Sequence, residues 1–327
     1  MRDSFDREID YMRISVTDRC NLRCRYCMPE GGIRTIPMPE LLTYEEIARV
    51  CQIGVGLGIR KIRLTGGEPL VRTDLPKLIA MISRIPGIER VSMTTNGILL
   101  PKYLPELTAA GLHGVNISLD TLDPDMFCRI TRVNALQKVL DSIRAALDAG
   151  LKVKVNTVLL PRDFFDDAVV DWREMLALAK ELPVDLRFIE LMPIGEGKQY
   201  YHVTGEEVLS SLREMYPALQ DDHTVHGSGP AVYYRIPGFA GSVGLILAMH
   251  GKFCHECNRI RLSATGKIKP CLCYAETFNL QQVIRGGGSD AQIREIMKKA
   301  IYAKPAAHCF ETLQDVSEEH RMVSIGG

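Results

Sequence analysis

Six short runs of the chain alternate apolar and polar positions, at residues 11–16, 61–65, 90–94, 114–119, 151–158 and 185–191. A period of two marks a strand with one face turned to a core. Between these runs apolar positions recur every three to four residues, at 44–57, 75–85, 135–149 and 168–182, as on one face of a helix. Thr43 and Glu46 form a capping box for the first helix, and Gly150 ends the third. Strand then helix, repeated six times, predicts a parallel sheet, doubly wound or curled into a partial barrel. In both designs functional residues gather beyond the C-terminal strand ends. The pattern changes after about residue 220. Gly227-Ser-Gly-Pro230 reads as a turn, followed by β-like runs at 232–236 and 242–249, a cysteine-bearing stretch from Cys254 to Cys273, and an amphipathic helix over 290–303. This divides the chain into 1–225 and a smaller module, 226–327.

The polar strand faces are cationic. Arg13 shares a face with Ser15, Lys61 with Arg63, and Lys152 with Lys154 and Asn156, while Arg187 interrupts an apolar strand. Buried cations are costly unless paired. They form either a solvent-facing surface paired with nearby carboxylates or the lining of a barrel lumen that holds a polyanion such as a triphosphate. Recurrence on four strands favours the lumen. The segments that follow the strands are polar: Thr65-Gly-Gly-Glu-Pro69, Thr94-Thr-Asn-Gly97 and Ser118-Leu-Asp120. Adjacent glycines let backbone approach a ligand, and Glu68 can accept from an ammonium.

After the first strand come Cys20, Cys24 and Cys27, spaced C-x3-C-x2-C around Tyr26. A structural zinc site closes with four ligands. A [4Fe–4S] cluster held by three thiolates instead leaves one iron open to the amine and carboxylate of a small molecule. Cys254, Cys257 and Cys271 repeat this logic, with Arg259 and Arg261 on one strand face between them. Cys273 is available as a fourth ligand that would close the second set. Cys51, Cys128 and Cys309 read as free thiols.

Composition adds limits. The 327 residues suit a large α/β unit plus an appendix, with 46% hydrophobic residues for its core. A formal net charge of zero gives no global case for nucleic acid or a membrane. The charged first ten residues do not resemble a signal peptide, and ten cysteines without one point to a reducing, cytoplasmic setting.

Cys20, Cys24, Cys27 and Tyr26 with Thr65-Gly-Gly-Glu-Pro69 resemble the radical S-adenosylmethionine (SAM) superfamily. Arg13-Ile-Ser-Val-Thr-Asp-Arg-Cys20, Thr94-Thr-Asn-Gly97, Asn116-Ile-Ser-Leu-Asp120, Arg187-Phe-Ile-Glu190, Cys257-Asn-Arg-Ile-Arg-Leu262 and the final Ile325-Gly-Gly327 extend the resemblance, over essentially the whole chain, to the GTP 3′,8-cyclase family of molybdenum cofactor biosynthesis.

That resemblance implies an incomplete, TIM-like (β/α)6 barrel with a smaller α+β iron–sulfur module closing its open side. It implies radical conversion of GTP to 3′,8-cyclo-7,8-dihydro-GTP, starting with hydrogen removal from C3′ by a 5′-deoxyadenosyl radical. It implies two [4Fe–4S] clusters, on Cys20, Cys24 and Cys27 and on Cys254, Cys257 and Cys271. SAM would meet Tyr26, Gly67, Glu68, Ser118 and Met192. GTP would meet Arg13, Arg63, Thr94, Lys154, Arg259 and Arg261, and Arg187, Gly326 and Gly327 would serve catalysis. The product would pass to cyclic pyranopterin monophosphate synthase from a monomer or homodimer fed by an electron donor. The rival readings are a radical SAM peptide or sulfatase maturase, a non-catalytic iron–sulfur electron carrier, and a zinc-stabilised binding protein.

Overall fold

The computed structural model describes residues 1–327 apart from 201–202, 251–252, 276, 311–315, 319–320 and 326–327. Six strands run parallel in chain order: β1 (Tyr11–Ser15), β2 (Lys61–Thr65), β3 (Arg90–Thr95), β4 (Gly114–Ser118), β5 (Lys152–Leu159) and β6 (Asp185–Glu190). The helices between them are α1 (Tyr44–Val55), α2 (Leu75–Ser83), α3 (Leu100–Ala109), α4 (Pro124–Thr131), α5 (Leu136–Asp148) and α6 (Leu176–Glu181). Alternation explains the layering. Met12, Ile14, Ile62, Leu64, Val91, Met93, Val155, Leu186 and Phe188 are buried in one continuous core with Ile47, Val50, Leu78, Ile79, Val139 and Ile143 of the helices. Each such side chain contributes about 1.5–3 kcal/mol of burial. The intervening strand positions, including Arg13, Arg63, Asn116, Lys154 and Arg187, take the opposite face.

Thr43 and Glu46 make the capping box of α1, and Gly150, at φ +74°, lies just past the end of α5. The helix read at 168–182 is shorter than its periodicity. Asp171 caps a single turn over Trp172–Met175, and α6 begins only at Leu176. Two short helices fall outside the runs read from the sequence: α3, of 10 residues with Pro101 and Pro105, and α4, of 8 residues. For α4 a local signal did exist, because Asp123 caps the Met126 amide and Pro124 is the first helical residue.

Beyond β6 follow α7 (Gly205–Met215), β7 (Gln220–Asp222), β8 (Val232–Arg235) and β9 (Ser242–Ile246), then β10 (Arg259–Leu262), β11 (Lys267–Lys269), β12 (Phe278–Asn279), α8 (Leu280–Arg285), α9 (Asp290–Tyr302) and α10 (Met322–Ile325). These later strands do not build a separate sheet. β9 pairs parallel to β6 and β10 pairs parallel to β1, so the C-terminal region extends both edges of the barrel sheet in the order β12-β11-β10-β1-β2-β3-β4-β5-β6-β9-β8-β7.

Candidate active site

The loop from Cys20 to Cys27 leaves the C-terminal end of β1 and is fixed from two sides. Arg23 and Arg25 donate backbone N–H groups to Thr131 and Ile130 of α4, and the Arg132 guanidinium donates to the Arg23 carbonyl at 2.6 Å. On the other side lies the Gly66-Gly67 turn after β2. The Gly67 and Glu68 amides donate to the Thr17 and Arg19 carbonyls, both at 2.8 Å. A Cβ on Gly67 would stand 2.3 Å from the Arg19 carbonyl oxygen. This glycine pair is thus required first by the cysteine loop's own backbone. Glu68 lies behind the wall, with no exposure. It accepts from the Leu70 amide, the Thr95 hydroxyl and the Asn96 amide, and so holds the Thr94–Gly97 turn. Asn96 in turn donates to Asn21 at 2.7 Å and reaches the Cys20 sulfur at 3.9 Å. The Tyr26 hydroxyl donates to Asp120, whose other oxygen takes the Val158 amide.

One cavity of about 350 Å³ contains both cysteine trios. Cys20, Cys24 and Cys27 line it together with Tyr26, Gly67, Ser118 and Met192. Cys254, Cys257 and Cys271 line it with Arg13, Arg63, Thr94, Arg187, Arg259 and Arg261. Burial pushes the Cys20 and Cys27 thiols up to about 11 and about 12, and also raises the Cys24 thiol well above its ordinary value. Burial acts on Cys257 too, but the Arg259 and Lys304 charges outweigh it and bring that thiol down to about 6. Metal binding to the first trio therefore releases protons.

Among the described residues, no three His, Cys, Asp or Glu side chains are grouped tightly enough for a single metal ion. Two sets of three thiols, each facing the same cavity, suit the thiolate ligation of an iron–sulfur group.

Cys273 does not join the second trio on the cavity wall. It is fully buried, and its sulfur stands 2.9 Å from that of Cys309. The spacing of Cys271 and Cys273 left a fourth ligand open; the turn there directs Cys273 toward the C-terminal segment, a pairing that no local spacing announces.

The parallel registers explain the cationic wall. Arg13 is the register partner of Arg63 on β2 and of Arg261 on β10, so three guanidinium-bearing positions stand side by side on adjacent strands. Burial lowers the Arg13 guanidinium well below its ordinary value, and the neighbouring charges of Arg261, Arg63 and Arg259 add to this. Arg187 donates to Asn156, and the Asn116 amide oxygen, oriented by its surroundings, faces both Arg63 and Arg187. Tyr11, Arg63, Arg187 and Gly229 border both this cavity and a second one of about 270 Å³ at the N-terminal strand ends. Lys154 lines the second cavity, paired with Asp185 and 3.1 Å from the Tyr233 hydroxyl. Gly326 and Gly327 lie outside the described residues. Sequence reasoning missed Lys304 and His308, which also line the main cavity. Among the described residues no helix is long and apolar enough to cross a membrane.

Comparison with known proteins agrees with this geometry. The Radical SAM superfamily model matches residues 14–176, and the Molybdenum Cofactor Synthesis C model matches 184–310. A GTP 3′,8-cyclase of Clostridium perfringens (strain 13 / Type A) is 48% identical over the full length of both chains. That of Pelotomaculum thermopropionicum is 44% identical, again over the whole of both chains. Among solved structures, Streptococcus suis SuiB bound to S-adenosylmethionine superposes with a TM-score of 0.58 at 15% identity. That match covers 97% of this chain and 77% of SuiB, a likeness of fold alone. On full-length identity at this level, the chain belongs to the GTP 3′,8-cyclase family of the radical SAM superfamily.

Proposed function

We infer that the protein performs its family's reaction, the ring closure of GTP in molybdenum cofactor biosynthesis, inside the cavity between the two cysteine trios. The observation that carries this reading is the row of Arg63, Arg13 and Arg261 beside the second trio, within one cavity that also holds the first. Cys20, Cys24 and Cys27 would hold the superfamily's [4Fe–4S] cluster, and Cys254, Cys257 and Cys271 a second one. When bound, these groups and SAM supply one-electron reduction and the radical. The chain's own residues bind, orient and exclude water. Tyr26, Gly67, Ser118 and Met192 shape the end beside the first trio, where SAM fits, with Glu68 bracing that wall from behind. Arg13, Arg63, Thr94, Arg259 and Arg261 would place the nucleotide between the two trios, and Lys154 extends the cationic track into the lower cavity, which suits a polyphosphate. Arg187, tied to Asn156 at the junction of the cavities, would steady the ribose-side geometry. Full-length identity to cyclases favours this over peptide maturation, and a cation-lined cavity fits a substrate enzyme better than an electron carrier. The product would go to cyclic pyranopterin monophosphate synthase.

Nucleotide binding should carry a proton signature. Burial, then the Arg187 charge, drags the Lys154 ammonium down to about 7 despite Asp185. In the free protein the charged form is penalised, and the penalty lifts as pH rises through about 7. A bound polyphosphate reverses the balance and restores the ammonium, so binding takes up a proton above that pH and affinity falls as pH rises toward about 9. Calorimetric titration of GTP into the reconstituted protein, in buffers of different ionisation enthalpy, is expected to show this uptake and its loss in Lys154→Met. An absence of GTP binding would refute the nucleotide assignment itself, and binding without proton uptake would remove Lys154 from it.

A further inference from the structure

Lys304, just beyond α9, has an unusual setting. It is 3% exposed and lines the main cavity. Its ammonium donates to the Arg259 carbonyl at 2.9 Å and to the Pro270 carbonyl at 3.0 Å. Arg259 lies two residues after Cys257, and Pro270 immediately precedes Cys271. One ammonium therefore ties together the two separate backbone segments that bring Cys257 and Cys271 to the cavity. The segment carrying Lys304 is itself anchored to the remaining cysteine of the trio. The buried Arg7 guanidinium, paired with Asp3 at 2.7 Å, donates to the Cys254 carbonyl at 2.7 Å, to that of Pro305 at 2.7 Å and to that of Ala306 at 3.0 Å. The His308 amide reaches the Cys254 sulfur at 3.4 Å.

Charge points the same way. Lys304 forms no salt bridge with a carboxylate among the described residues, and a buried cation without a counter-charge is costly. Its surroundings offer carbonyl oxygens and the sulfur of Cys257. A thiolate-held iron–sulfur cluster carries net negative charge that grows on reduction, which is the counter-charge this position lacks among the described residues.

We propose that Lys304 is a positioning residue of the second cysteine trio. It holds the Cys257 and Cys271 segments at the spacing a cluster needs and sets that cluster's reduction potential through its fixed positive charge. The proposal rests on the second trio being a cluster site, and it assigns the Lys304-Pro-Ala-Ala-His308 segment to that site. A neighbouring cation favours the more negative, reduced state, so its removal moves the midpoint potential to more negative values.

The test uses the full chain with Cys20, Cys24 and Cys27 all replaced by alanine, so that the second trio alone can take a cluster, reconstituted anaerobically with iron and sulfide. Iron content and an EPR-monitored redox titration are compared for Lys304, Lys304→Met and Lys304→Arg. The expected result is a more negative midpoint, or loss of the iron, in Lys304→Met, with iron and midpoint recovered in Lys304→Arg. An unchanged midpoint in Lys304→Met would overturn the proposal, as would Lys304→Arg being as defective as Lys304→Met. Failure of the protein with Lys304 intact to take up a cluster would instead overturn the underlying assignment of the second trio.

Discussion

Cys24→Ala protein is expected to lose 5′-deoxyadenosine formation from SAM by at least about 10²-fold, since even outer partners of a metal site cost that much. Its iron content should fall from about eight to about four per chain, because only the second trio remains complete. The reasoning is local. Cys24 is the middle thiol of a loop whose backbone is fixed by α4 and by the Gly66-Gly67 turn, and its own carbonyl takes the Cys27 and Met28 amides at 2.9 Å. With the loop held so firmly, no neighbouring cysteine can move in as a substitute; Cys51 is buried in the helix-packed core and Cys128 belongs to α4. GTP binding should survive the substitution, because the cations that would hold the nucleotide belong to strands rather than to this loop. Loss of both clusters, or retention of full iron, would contradict the assignment of two independent trios.

Arg261→Ala is expected to weaken GTP binding by at least about 30-fold, the equivalent of roughly 2 kcal/mol for a buried charged contact. The same substitution should leave thermal stability unchanged or raised. Burial brings the Arg261 guanidinium down to about 10, with the nearby Arg259 charge adding to that effect. Arg261 also stands in register with Arg13, itself beside Arg63. Three adjacent cations repel one another in the free protein, and a polyanion that joins them offsets that repulsion. Removing one relieves repulsion and removes binding at the same time. Isothermal titration and thermal unfolding of the same preparation check both halves. A large loss of stability with little change in affinity would make Arg261 a structural residue.

Much of this site was legible because its signals are local. The thiols of Cys20, Cys24 and Cys27 lie within one loop, and alternation alone places Arg13, Arg63 and Lys154 opposite the apolar core face. The capping box of α1 is equally local, and so was visible. What could not be read depends on contacts between distant parts of the chain. The parallel pairing of β10 with β1 sets Arg261 beside Arg13, and nothing near either residue encodes it. The same holds for Lys304, an unremarked lysine after a helix until its ammonium is seen on the carbonyls that flank the second trio. Cys273 illustrates the converse. Spacing two residues from Cys271 made it a candidate ligand, whereas the fold directs it to Cys309. Glu68 reads in the sequence as a ligand-facing acceptor, and in the structure its buried carboxylate accepts from the Leu70 amide, the Thr95 hydroxyl and the Asn96 amide, contacts that alternation does not announce.

The central claim is that SAM and GTP meet within one cavity, close enough for hydrogen to pass directly between them. The most direct measurement follows that hydrogen. Protein reconstituted anaerobically with iron and sulfide would be given reductant, SAM and GTP deuterated at C3′, and the products analysed by mass spectrometry. The account predicts deuterium in 5′-deoxyadenosine together with a cyclised, GTP-derived nucleotide, and neither when ATP replaces GTP. Deuterium-free 5′-deoxyadenosine alongside unchanged GTP, from protein carrying both clusters, would contradict it.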